Sequence, residues 1–284
     1  YNGTINVNAV EDGIRGKDSV TIGDTTKSDG TPADNSGITL TVKTTNGDGI
    51  KSTNTTDSGK GYVTVNGGTI NITCAGEKAT LDDNSGGAGA DGISAEQSFT
   101  MNDGSLTIKT YQGSTYTASG SSSGQQPGGF GGGRPGNWGG GEAGGTNKTT
   151  QSTKGIKVGG QWSYDTESVP NATYISGGNI TINGGTLDIN TSDDAVHCGG
   201  IMTLNGGTFN INASDDGFHS DQIINIGKKD GSYEDLQIFV GKCYEGMEAI
   251  EINQNSGTVY IISGDDGFNA GNSRASKIFG VREE

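Results

Sequence analysis

One motif recurs along the second half of the chain: an acid, a small residue, an apolar residue of the kind usually buried, and a polar residue. Ser192-Asp193-Asp194-Ala195-Val196-His197 returns twenty-two residues later as Ser214-Asp215-Asp216-Gly217-Phe218-His219. It returns again as Tyr244-Glu245-Gly246-Met247-Glu248 and as Gly264-Asp265-Asp266-Gly267-Phe268-Asn269. A period this short leaves no room for a strand, a crossover helix and a second strand. It is the length of one coil of a solenoid, a fold in which each repeat buries its apolar face only by stacking on its neighbours.

Two-residue alternation fills the rest of each unit. Thr186-Leu187-Asp188-Ile189 precedes the first motif, and Met202-Thr203-Leu204-Asn205-Gly206-Gly207 follows it. The same order is found around Asp12-Gly13-Ile14-Arg15, Asp48-Gly49-Ile50-Lys51, Asp91-Gly92-Ile93-Ser94 and Lys154-Gly155-Ile156-Lys157. Alternation puts the apolar residues of a strand on one face, and β-branched residues suit a half-buried pleated surface. The last apolar residue of the first strand lies five positions before the acid in Val7/Asp12, Ile189/Asp194, Ile211/Asp216, Val240/Glu245 and Ile261/Asp266. A slip of one residue would turn the strand inside out, so stacking requires such a constant offset. The expected fold is all-β: a single-stranded parallel β-helix, or β-solenoid, of about eight coils with three short strands each. It forms one domain over residues 1–284. A Gly/Ser-rich loop is inserted at about 111–153, and residues 74–90, 158–178 and 227–235 read as further loops. The Asn-Gly-Gly turns should set Asn66, Asn102, Asn183 and Asn205 in a column of coil-to-coil hydrogen bonds.

Composition alone would suggest disorder, with 53 glycines and only 29% hydrophobic residues. The strict period argues for the solenoid instead. A net charge of −15 excludes nucleic acid as a natural partner. No apolar run is long enough to span a bilayer. No stretch of this sequence reads as a signal peptide, and its opening at Tyr1 within a repeat leads us to expect a mature or trimmed product. Cys74, Cys198 and Cys243 have no metal-type spacing and read as small buried residues. Their odd number leaves a free thiol or an intermolecular bridge open.

Stacking turns the recurring acids into a column with about 4.8 Å between neighbours. Like charges at that distance repel. A bound Ca²⁺, ligated by six to eight oxygens, would relieve the repulsion. The candidate ligands are Asp12, Asp48, Asp91, Asp194, Asp216, Glu245 and Asp266, with Asp193, Asp215 and Asp265 beside them. The competing reading is that these acids cap turns. Lys154 takes the acid's place in the fourth unit, where it can substitute an internal charge for a metal. A second polar column contains Arg15, Lys51, Ser94, Lys157, His197, His219, Glu248 and Asn269. Of these, His197, His219 and Glu248 are candidate ligand contacts, as is Trp138 in the long insertion. No nucleophile, base and orienting group occur together, which argues for binding over catalysis.

The motifs Ser-Asp-Asp-Ala-Val-His at 192–197, Asn-Gly-Gly-Thr-Phe at 205–209, Asp-Asp-Gly-Phe-His at 215–219, Tyr-Glu-Gly-Met-Glu at 244–248 and Asp-Asp-Gly-Phe-Asn at 265–269 resemble the clostridial carbohydrate-binding β-helix family related to pectate lyases. The resemblance is strongest after residue 154. It implies a right-handed β-helix, secreted or displayed at the cell surface, that binds calcium and plant-wall polysaccharide of the pectin or cellulose type. Lyase activity is not implied. The alternative is a subunit of an extracellular filament or surface layer, built by end-to-end stacking of solenoids whose open edges add a further coil. A third reading is a pectate-lyase-like enzyme, for which Arg15, Lys51 and Lys157 are candidate bases by residue type alone.

Overall fold

The computed structural model describes residues 2–75, 90–116, 153–164, 172–228 and 235–271. The described residues are all β, with no helix, and therefore include none long and apolar enough to cross a membrane. Three parallel sheets wrap one core; each of the first seven coils gives one strand to each sheet in turn, and the eighth, among the described residues, gives one to the first and second. The first sheet has eight strands: Asn2–Ala9, Gly37–Thr44, Thr69–Cys74, Ser105–Thr110, Thr186–Asn190, Thr208–Asn212, Gln237–Cys243 and Thr258–Ser263. The second also has eight, all short, from Ile14–Gly16 through Val196–Cys198, Phe218–Ser220 and Met247–Ala249 to Phe268–Ala270. The third has seven, from Ser19–Ile22 to Glu251–Gln254. The chain is thus a parallel β-solenoid of eight coils, as the repeat requires.

Register follows the five-residue offset. Ile189 pairs with Ile211, Ile211 with Val240, and Val240 with Ile261. The inward residues of all three sheets meet in one continuous core. Leu187, Ile189, Val196, Met202, Leu204, Phe209, Ile211, Phe218, Ile224 and Ile226 are fully buried. Glycine is required where the third strand turns into the next coil. Gly68, Gly104, Gly185 and Gly207 have φ between 90° and 107°, a left-handed region that L side chains rarely adopt. The turn asparagines stack as expected. Nδ2 of Asn102 donates to Oδ1 of Asn66 (2.7 Å), Asn183 to Asn102 (2.8 Å) and Asn205 to Asn183 (2.8 Å).

One insertion differs from its expected form. Residues 158–178 read as a loop, yet Gln161–Tyr164 pairs antiparallel with Ala172–Ser176. Both segments are rich in aromatic and β-branched residues, a composition that favours pairing once a turn brings the segments together. Residues 117–152, most of the Gly/Ser-rich insertion and Trp138 among them, lie outside the described residues. The three cysteines are free and buried, and burial pushes each thiol up to about 12. They act as core residues, in keeping with their spacing.

Candidate functional site

The acid column forms along the turn that leads into the second sheet. Its backbone is a ladder in which Gly13 N–H donates to the Asp48 carbonyl, Gly49 to Asp91, Gly92 to Lys154, Gly155 to Asp194, Ala195 to Asp216, Gly217 to Glu245 and Gly246 to Asp266. The side chains add a second ladder. Oδ1 of Asp12 accepts from Asp48 N–H, Asp48 from Asp91 N–H, Asp91 from Lys154 N–H and Asp194 from Asp216 N–H, at 2.8–3.1 Å. These acids do cap backbone donors, but the donors belong to the neighbouring coil rather than to the acid's own turn.

In three coils the second carboxylate oxygen meets a side-chain nitrogen. The residue that reaches back stands three positions after the acid, in the second sheet. Lys51 Nζ lies 2.7 Å from Asp48, His197 Nδ1 2.8 Å from Asp194 and His219 Nδ1 3.0 Å from Asp216, each at Oδ2. Arg15 is only 3.8 Å from Asp12 and largely exposed, an arrangement worth little. Lys154 lies between two acids, with Nζ 2.8 Å from Asp193 Oδ2 and 2.6 Å from Asp194 Oδ2. It is the internal charge that its place in the column suggests. One carboxylate oxygen from each of Asp193, Asp194 and Asp215 lies within 4.8 Å of the other two. At the C-terminal end, Asn269 Nδ2 donates to Glu245 (3.0 Å), and Asp265 and Asp266 are exposed. Among the described residues no lysine, arginine or histidine forms an ion pair with these three acids.

Burial makes the column sensitive to acid. Burial, reinforced by the charge of Asp91, raises Asp48 to about 6 despite Lys51. Burial and the adjacent Asp194 likewise raise Asp193 to about 6, against the pull of Lys154. Burial also opposes charge on Asp194, but Lys154 and the His197 hydrogen bond outweigh it and hold that pKa well below the usual range. An unfolded aspartate titrates near 3.9, so between about pH 4 and 6 the folded chain holds more protons through Asp48 and Asp193. Their contribution to stability is present below about pH 4 and lost as pH rises through about 6. Burial lowers the pKa of His197 and works in the opposite sense. The chelator-treated protein is expected to resist urea better near pH 4.5 than near pH 6.5. Asp48→Asn should reduce that difference, and equal urea midpoints for the wild type at the two pH values would contradict it.

The second polar column also forms. Lys157 pairs with His197, His197 with His219, His219 with Glu248 and Glu248 with Asn269. The two histidine rings stack with centroids 4.6 Å apart.

Sequence reasoning missed a third surface. On the outer face of the first sheet, one position per coil forms the row Asn6, Thr41, Asn71, Thr107, Asp188, Asn210, Phe239 and Tyr260. The last two residues are aromatic and exposed, at 43% and 57%, and their rings stack with centroids 5.3 Å apart and planes 10° from parallel. The signal was legible, because aromatic residues replace polar ones at the outward position of two successive first strands. A family model described as "Carbohydrate-binding domain-containing protein" matches residues 1–217. No curated protein and no solved structure matches the chain.

Proposed function

This chain belongs to the carbohydrate-binding domain-containing family, and from that premise we propose that it binds a polysaccharide, without cleaving it, along the outer face of its first sheet. The observation that carries this reading is the Phe239–Tyr260 stack at the end of an in-register polar row. The C–H faces of sugar rings carry slight positive charge and lie well on the negative face of an aromatic ring. Asn210, Asp188 and Thr107, on the adjoining strands, offer hydroxyl partners at the strand spacing. A periodic surface of this kind fits a periodic polymer, and pectin and cellulose are the classes to test first.

Calcium has a defined place in this proposal. Asp12, Asp48, Asp91, Asp193, Asp194 and Asp216 already have a backbone donor or a nitrogen partner within the fold, so the C-terminal carboxylates Glu245, Asp265 and Asp266 are the ones that gain from an external ion. An ion there would offset the net charge of −15 when the polymer is acidic. We place the protein outside the cell, where such polymers are found. Phe239→Ala/Tyr260→Ala is expected to lower affinity for insoluble cellulose or polygalacturonate about tenfold or more. Stability should change by no more than about 1 kcal/mol, because both rings are exposed. Unchanged binding by a folded double variant would remove this face from the proposal. Binding to polygalacturonate that persists in EDTA would remove calcium, and unsaturated products formed from it would replace binding by catalysis.

A further inference from the structure

We propose that Asp216, His219 and Glu248 form a binding site for a divalent transition-metal ion, with zinc the best match to its donors. The inference does not rest on the polysaccharide reading. His219 Nδ1 lies 3.0 Å from Asp216 Oδ2 and 3.4 Å from Glu248 Oε2. One donor atom from each residue lies within 4.8 Å of the other two. Four ligands held tetrahedrally at 2.0–2.1 Å from zinc are about 3.3 Å apart, and the two measured separations bracket that edge. Three protein ligands leave the fourth position to water.

The fold supports each ligand from behind. Asp216 is almost fully buried, and its N–H is fixed on Asp194 Oδ1 at 3.1 Å. His219 and Glu248 face each other in register on adjacent strands of the second sheet. The far side of the imidazole is also supplied, since Nε2 lies 3.5 Å from Asp221 Oδ1. A carboxylate on the second ring nitrogen sets the orientation of a metal-bound histidine. Glu248 is 39% exposed, so an ion has a way in from solvent. Nδ1 lies within reach of both carboxylates, and a divalent ion placed among the three atoms would be held by all of them.

The donors also separate this site from its neighbours. Imidazole suits zinc, whereas calcium and magnesium take oxygen ligands. The group Asp194, His197 and His219 has a similar composition, but Lys154 Nζ already lies on Asp194 Oδ2. In the oxygen-only group of Asp193, Asp194 and Asp215 the same lysine already lies on Asp193 Oδ2 and Asp194 Oδ2.

The test is calorimetric titration of the EDTA-stripped, desalted protein with zinc chloride near neutral pH, alongside cobalt chloride followed by visible absorption. One zinc per chain is expected, with an intense tetrahedral cobalt spectrum. His219→Gln and Glu248→Gln should each weaken zinc binding about tenfold or more, while His197→Gln changes it by less than about threefold. Millimolar calcium should not displace the ion. The absence of zinc binding by the wild type overturns the proposal, as does retention of full affinity by Glu248→Gln. Glu248 is exposed enough that its variant keeps the test valid even if His219→Gln fails to fold. Loss of polysaccharide binding has no bearing on this result, because the probe is the metal alone.

Discussion

Replacing Lys154 with methionine is expected to destabilise the protein by about 3–5 kcal/mol, the cost of leaving buried charge without its partner. The ammonium lies within 2.8 Å of both Asp193 Oδ2 and Asp194 Oδ2. The three side chains are only 13%, 7% and 4% exposed, so water cannot replace the ammonium. Methionine keeps most of the lysine's length and apolar stem, so the loss reports charge rather than packing. Urea unfolding near neutral pH measures it. A cost below about 1 kcal/mol would place these carboxylates in the class of solvated surface pairs.

Two further results would identify the mechanism. Burial already raises Asp193 to about 6, and without Lys154 the two acids would share a proton more readily, so acidification should restore part of the loss. The triple variant Lys154→Met/Asp193→Asn/Asp194→Asn should recover stability relative to the single one, because the stranded charges are gone. Calcium should also stabilise Lys154→Met more than the wild type. Carboxylates of Asp193, Asp194 and Asp215 would then converge with no ammonium between them. An identical calcium response in the two proteins would limit any calcium in this protein to other coils.

Residue order was enough to locate Lys154 in the column, since its register follows from Gly155 and Ile156 as surely as Asp194 follows from Ala195 and Val196. The partners of the acids were harder to read. Lys51, His197 and His219 belong to a separate polar column in sequence, and only the turn geometry folds each back on the acid three residues before it. Alternation foretold the core because it is a one-dimensional signal. Phe239 and Tyr260 were missed for the same reason: a pattern of inward residues says little about which outward ones meet. The ribbon of Gln161–Tyr164 with Ala172–Ser176 was hidden by its flanks, because Gly159-Gly160 and Gly177-Gly178 read as loop.

The asparagine ladder offers a test of whether stacking is held by side chains as well as by the core. Asn183→Ala is expected to cost about 2–3 kcal/mol, roughly twice the cost of Asn205→Ala. Asn183 stands inside the ladder, donating to Asn102 and accepting from Asn205, so its loss breaks two bonds and strands a half-buried group on each side. Asn205 donates to Asn183, and the neighbouring coil continues with Gly227, whose N–H bonds to the Leu204 carbonyl, so its loss breaks one side-chain link. Backbone bonds do not confuse the comparison, because Asn183 N–H to Met101 O and Asn205 N–H to Ile182 O survive truncation of the side chain. The ladder also has a direction, with every amide donating toward the N-terminal coil. Asn183→Asp keeps the acceptor that Asn205 uses but loses the donor to Asn102, so its cost should fall between those of the two alanine variants. Equal costs for Asn183→Ala and Asn205→Ala would show that each coil is held by its own turn and core contacts, and that the asparagines line up without coupling one coil to the next.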